Sequence, residues 1–201
     1  PLSMSNFDRL QQLYEAGAVP WDRPAPPPEV TASAAALPAG RALDLGCGLG
    51  RASLYLAALG WTVDGVDFIP QAIAEARVRA AQAGLAAQAA FHQGSVTDLG
   101  FLSGPYDFAL DVGCAHGLGE SDLRAYHREM LRLLKAGALY LLFAHLNDAH
   151  PGPEAPRWLD EATLRQIFAA GFTLERVEHG TTQVNDQAPW ASGWFWFRRD
   201  P

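Results

Sequence analysis

The sequence predicts an α/β fold: a doubly wound, seven-stranded sheet, mostly parallel, that closes with an antiparallel C-terminal strand pair. Three observations predict it. Short apolar runs alternate with helical patterns from Arg41 onward, and strands joined by helices require right-handed crossovers onto a parallel sheet. The run ALYLLFAH, residues 138–145, is apolar almost throughout, as a strand covered on both faces must be. Finally, FTLERVEH and SGWFWFRR follow one another with no helical pattern between them, which predicts the antiparallel pair.

Each element has its own signal. FDRLQQLYEAG (7–17) places Phe7, Leu10, Leu13 and Tyr14 at helical spacing and ends on Gly17. VPWDRPAPPPEV (19–30) is rich in proline and is expected to be extended. RALDL is the first strand, and RASLYLAALG is a helix stopped by Gly60. WTVDGVD is the second strand. It leads into PQAIAEARVRAAQAG, a helix with Pro70 in its first turn and Gly84 as terminator. QAAFH and YDFALDV are two further strands. SDLRAYHREMLRLLKAG is an amphipathic helix, with Ser121 as expected N-cap and Leu123, Tyr126, Met130 and Leu134 on one face. LDEATLRQIFAAG is a helix capped by Asp160 and ended by Gly171. In SGWFWFRR, Trp194, Phe195, Trp196 and Phe197 are assigned to the core, because an interior strand needs large apolar side chains on both faces.

Composition narrows the function. The 201 residues fit one α/β domain, and 18% charged residues is an ordinary globular balance. The net charge of −7 and the lack of any Lys/Arg run speak against nucleic acid as partner. No apolar run is long enough to span a membrane, and no signal peptide opens the chain. The chain begins PLSMSNF, and Met4 is a candidate native start. Cys47 and Cys114 offer no disulfide framework. Both close strands that could bring them near each other, yet reduced thiols and a cytoplasmic protein are expected. No C-x-x-C or H-x-x-x-H spacing supports a metal site. No segment demands a partner subunit, so a monomer is compatible with the sequence.

The stretch with most chemical content is LDLGCGLG, residues 43–50. In a parallel sheet, ligands sit beyond the carboxyl ends of the strands, and a glycine loop there lets a ligand lie against the backbone. The spacing is G-x-G-x-G through Gly46, Gly48 and Gly50, and the third glycine of a G-x-G-x-x-G dinucleotide fingerprint is replaced by Arg51. Asp44 precedes the loop; it would repel a pyrophosphate and attract an ammonium.

This stretch resembles the first motif of the class I S-adenosylmethionine-dependent methyltransferases, and the resemblance spans roughly residues 20–199. It implies a Rossmann-like core over 31–201, preceded by residues 1–30 as a helix and lid segment. It also implies S-adenosyl-L-methionine as cofactor. Gly46, Cys47, Gly48 and Gly50 would then line the methionine part, with Asp44 serving its amino group through water. In VDGVDFIPQAIAEAR, Asp67 stands where the family's acidic residue takes both ribose hydroxyls, each such charged bond being worth about 1.5–3 kcal/mol. Asp64 competes for that role but falls within the strand. Phe68 follows, near the adenine or packed under the next helix. In FHQGSVTDL, Ser95 occupies the position where an aspartate is usual; Ser95 and Val96 would contact the adenine, with Asp98 as the alternative.

YDFALDVGCAHGL (106–118) resembles the family's fourth motif, and most resembles enzymes acting on small molecules, including thiol, halide, thiopurine and tellurite-resistance types. Asp111 joins the expected cofactor contacts. VPWDRP supplies Trp21, which the resemblance places over the cofactor. The D/N/S-P-P-Y/F run of amino-methylating DNA enzymes is absent here. His116 is the candidate general base; the competing reading is a hydrogen-bonded histidine that shapes its loop. Tyr14, His145, Asn147 and Trp190, the last expected on the loop before the WFWF rings, are candidate acceptor-lining residues, with packing as the competing reading for Tyr14. The loop 147–158 either borders the acceptor pocket or is a surface connection.

The expected activity is transfer of a methyl group to an S, O or N atom of a small molecule. Two rivals accompany it: a catalytically silent S-adenosylmethionine-binding sensor or partner protein, and a nicotinamide-dependent oxidoreductase, against which Arg51 speaks.

Overall fold

A computed structural model describes residues 6–17, 19–147, 158–183 and 189–201. The fold is the expected one: α/β, with a seven-stranded sheet that is mostly parallel and has an antiparallel C-terminal pair. The chain divides into two compact units, Pro1–Val96 and Thr97–Pro201. Met4 and the middle of the 147–158 loop lie outside the described residues.

In the first unit the elements are α1 (Asn6–Glu15), α2 (Pro28–Ala35), β1 (Arg41–Leu45), α3 (Arg51–Ala58), β2 (Thr62–Asp67), α4 (Pro70–Gln82) and β3 (Ala89–Gln93). β2 lies between β1 and β3 and is parallel to both, with Asp44 opposite Gly65 and Asp67 opposite Gln93. Leu43, Leu45, Val63, Val66, Ile69 and Ile73 are buried and form the core on which α3 and α4 pack.

One element departs from expectation. The proline stretch does not stay extended to Val30: α2 begins inside it, with Pro28 in its first turn and Val30, Ser33 and Ala34 buried. Proline's fixed φ suits a helix start as well as an extended chain, so the prolines alone did not discriminate.

The second unit contains β4 (Tyr106–Val112), a 3₁₀ turn (Ala115–Gly117), α5 (Glu120–Leu133), β5 (Leu134–His145), α6 (Glu161–Phe168), β6 (Phe172–Thr182) and β7 (Trp190–Arg199). Its strand order is β4-β5-β7-β6; β4 and β5 are parallel, and β7 is antiparallel to both its neighbours. Asp160 caps α6 as expected, accepting the Thr163 N–H at 2.7 Å.

Four details correct the sequence reading. Ser121 is not the cap of α5; Gly119 is, with no side-chain bond, so the helix starts at Glu120. Leu134 is not on the helical face but opens β5, pairing with Tyr106. Trp190 is not on a loop; it is the first residue of β7, opposite Thr182. Of the four rings in WFWF, Phe195, Trp196 and Phe197 are buried, while Trp194 is only half-buried, its ring 5.0 Å from that of Phe143. Side chains alternate across a strand, so Phe195 and Phe197 stack on one face and Trp194 and Trp196 share the other.

Candidate functional site

In the first unit the loop after β1 is clamped to the end of β2. The Cys47 N–H donates to the Val66 carbonyl at 3.0 Å, and the Gly48 N–H donates to Asp67 Oδ2 at 2.9 Å. Gly50 has φ +83° and caps α3; a Cβ there would lie 2.9 Å from the Phe91 ring. The same ring closes on Gly65 in β2, where a Cβ would lie 2.8 Å away. Glycine at position 50 is therefore demanded twice, by conformation and by space.

Asp67 holds the centre of this arrangement. Its Oδ1 accepts the Ile69 N–H at 2.9 Å while Oδ2 holds Gly48. Each carboxylate oxygen can accept more than one bond, so these contacts orient the group and leave lone pairs for hydroxyl donors. Burial raises its pKa, and the N–H groups of Ile69, Gly48 and Phe68 oppose the rise. Asp64, its rival by sequence, sits mid-strand and pairs instead with Arg41 at 3.4 Å and His92 at 2.8 Å.

Asp44 is 3% exposed and accepts the Ser53 hydroxyl at 2.6 Å. Burial pushes its pKa up to about 6, opposed by the Ser53 hydrogen bonds and by the charge of Arg51.

The N-terminal segment also meets this loop. The Tyr14 hydroxyl would lie 3.0 Å from a Cβ at Gly48 and accepts the Trp21 indole N–H at 3.3 Å. Burial, reinforced by the charge of Asp67, raises the Tyr14 pKa, so the phenol stays protonated. Arg51 donates to the Trp21 carbonyl at 2.9 Å, and Arg79 grips Asp22 through two bonds of 3.2 and 3.0 Å. The residue that replaces the third fingerprint glycine thus tethers the segment carrying Trp21. Phe68 packs edge-on against Phe7 at 5.5 Å. After β3, the Gly94 N–H donates to the Asp67 carbonyl at 3.0 Å; Ser95 beyond it is exposed and Val96 buried. A groove of about 490 Å³, lined by Asp22, Pro26, Arg51, Tyr55 and Arg79 among others, contains neither Asp67 nor the glycine loop.

In the second unit Asp111 is fully buried at the end of β4. Its Oδ1 accepts the Cys114 N–H at 2.7 Å, and its Oδ2 accepts the Ala115 N–H at 3.0 Å and the Tyr126 hydroxyl at 2.9 Å. Tyr126 is bonded onward to Tyr140 at 2.9 Å. With no exposed surface, the carboxylate holds the turn that follows β4.

That turn carries His116. Its ring stacks on His145 at 4.7 Å, and its Nδ1 accepts the His145 backbone N–H at 3.1 Å. An accepting Nδ1 carries no proton, so a neutral His116 bears its proton on Nε2. That nitrogen is the one able to donate.

His145 is 7% exposed, its Nδ1 is buried without a hydrogen-bond partner, and burial lowers its pKa. Trp158 and Trp190 lie 5.0 and 5.1 Å from the His145 ring and 5.2 Å from each other. The Trp158 indole N–H is likewise buried and unpartnered. Asn147 does not present its carbonyl outward: Oδ1 accepts the Trp158 N–H at 2.8 Å, and its own N–H donates to Leu159 at 3.0 Å. The sequence reading did not single out Trp158. Its only signal was an aromatic at the far end of a long loop.

The structure thus gathers Tyr14, Trp21, Asp67 and the glycine loop in one unit, and His116, His145, Asn147 and Trp190 in the other. Neither Cys47 nor Cys114 is in a disulfide. Among the described residues no group of three His, Cys, Asp or Glu side chains could hold a metal, and no helix is long and apolar enough to cross a membrane.

Fold and glycine loop define a Rossmann-like α/β protein of the methyltransferase kind. A family model described as a methyltransferase domain matches residues 42–137. The chain is 30% identical to a solved structure reported as "Conversion of a Disulfide Bond into a Thioacetal Group during Echinomycin Biosynthesis", with a TM-score of 0.78 over 96% of this chain and 93% of that one. It is 27% identical over 191 residues to 2-heptyl-1-hydroxyquinolin-4(1H)-one methyltransferase of Mycobacteroides abscessus, covering 89% of this chain and 84% of the relative. It is 29% identical over 127 residues to ajmaline N-methyltransferase of Rauvolfia serpentina, covering 62% of this chain and 43% of that protein's length. The chain belongs to the class I S-adenosylmethionine-dependent methyltransferases, whose cofactor is S-adenosylmethionine.

Proposed function

We propose that the chain, acting as one methyltransferase domain, moves a methyl group to an S, O or N atom of a small molecule by in-line displacement. The observation that carries this reading is the Asp67 carboxylate, which ends β2 and holds the Gly48 N–H of the glycine loop. One group thereby orders the loop suited to the methionine part and keeps lone pairs for the ribose hydroxyls.

When bound, S-adenosylmethionine supplies a methyl group on an activated sulfonium. The chain's residues bind and orient. Asp67 accepts from the ribose; the backbone of Gly46, Cys47, Gly48 and Gly50 lines the methionine part; Asp44, when ionised, serves the amino group. Ser95 and Val96 meet the adenine, with Phe68 packed beside it, and Tyr14 and Trp21 cover the loop. Orientation and exclusion of water carry most of such a displacement. His116 contributes a donated Nε2–H that positions the acceptor rather than a base at Nδ1. Two cysteines outside any disulfide fit a reducing, cytoplasmic setting.

Calorimetric titration with S-adenosylmethionine and S-adenosylhomocysteine tests this, on the wild type and Asp67→Ala. Asp67→Ala should weaken binding tenfold or more, about 1.4 kcal/mol. Failure of the wild type to bind either ligand would sink the reading.

A further inference from the structure

The aromatic cluster of the second unit holds an unusual pair of groups. Buried polar atoms are almost always hydrogen-bonded, and leaving one unsatisfied costs the full desolvation of that group. Here His145 Nδ1 and Trp158 Nε1 are both buried and unpartnered, on rings 5.0 Å apart. Around them Phe143, Trp190 and Trp194 are half-buried rings that expose part of their surface. Phe143 lies 5.4 Å from His145 and 5.0 Å from Trp194.

Two unmet groups in one cluster point to a ligand, and their chemistry describes it. An indole N–H only donates, so the ligand presents an acceptor, a carbonyl oxygen or a ring nitrogen. The imidazoles are uncharged: His116 accepts a backbone N–H at Nδ1, and His145 is buried. An ammonium would meet a donor at Trp158. The rings themselves favour a flat partner, since aromatic pairs attract beyond the area they bury.

We infer that the methyl acceptor is a flat, uncharged heteroaromatic molecule whose carbonyl or ring nitrogen accepts the Trp158 indole N–H beside His145. The inference rests on the methyltransferase reading above and narrows its acceptor.

The test uses the full chain saturated with S-adenosylhomocysteine and titrates quinolin-4(1H)-one against cyclohexylamine. The quinolone should bind at least tenfold more tightly than the amine. Trp158→Phe keeps a ring and removes the donor; it should weaken quinolone binding at least fivefold while the S-adenosylhomocysteine Kd stays within twofold. Equal binding of the two probes, or an unaltered Trp158→Phe, overturns the inference and leaves the methyltransferase reading standing. Loss of S-adenosylhomocysteine binding by the wild type overturns both, and is read in the first titration.

Discussion

The glycine loop and the aromatic cluster are built on opposite principles. Around Asp67 polar groups are matched: both carboxylate oxygens hold a backbone N–H, and the loop is bonded back to β2. Around His145 matching stops short, with two buried nitrogens left unpartnered. A preformed polar cradle suits a ligand that never changes. A cluster held together by ring contacts, with polar atoms in reserve, suits one whose shape differs from enzyme to enzyme. The comparison also shows what Asp111 does: it is the point in the second unit where matching is complete, and it holds the turn that bears His116.

The sharpest way to break this contrast is Asp111→Ala. It removes the acceptor of the Ala115 and Cys114 N–H groups and of the Tyr126 hydroxyl, which keeps its bond to Tyr140, at about 1–3 kcal/mol for each buried group left unmet. Chemical denaturation should show a loss of at least about 3 kcal/mol, while Asp111→Asn should recover part of it. A loss under about 1 kcal/mol would show that the turn is held by something else.

The pH dependence of the first unit comes next. Asp44 is buried with its pKa raised to about 6, so the folded state takes up a proton that the unfolded state releases. Its contribution to stability is therefore present below the unfolded value near 3.8 and is lost as pH rises to about 6. Ligand binding runs the other way, because the amino group needs an ionised Asp44. Below pH 6, S-adenosylhomocysteine affinity should fall by up to about tenfold per pH unit, or about 1.4 kcal/mol. Asp67, also raised by burial, adds to the slope in the same direction. Asp44→Asn isolates the first group, and an unchanged slope in that variant would remove it from the amino-group site.

The smallest effect is expected from Asn147→Ala, which loses the bond to the Trp158 N–H, worth about 0.5–1.5 kcal/mol. Near-ultraviolet circular dichroism from the indoles should decline, with the S-adenosylhomocysteine Kd unchanged. Asn147→Asp, which keeps an acceptor oxygen, should restore the signal. A change in cofactor affinity instead would mean that Asn147 acts on more than the cluster.

The two regions also differed in how readable they were. Gly46, Gly48, Gly50 and Asp67 could be picked out because backbone conformation and strand-end position are local properties. So was the Asp160 cap. The hold of Asp111 on Tyr126 was not legible, because the two lie fifteen residues apart and only packing brings them together. Trp158 was overlooked because Asn147 secures it across an eleven-residue separation that spacing does not encode. Leu134 deceived differently: a leucine that continues a helical stripe serves equally well as the first buried residue of a strand. Trp194 was swept into the core with its neighbours, although a period of two always sends alternate rings to opposite faces.

The Phe91 ring has an implication for how this chain can vary over generations. It presses on two glycines, but they are not equivalent. Gly65 lies in an ordinary strand, where space alone bars a side chain: the ring at 2.8 Å and the Ser53 hydroxyl at 3.0 Å; a smaller residue at 91 would remove the tighter of these two barriers to alanine. Gly50 carries φ +83° as well, and no change at 91 releases it. Substitution at 65 should therefore travel with substitution at 91, whereas position 50 has no partner that could set it free.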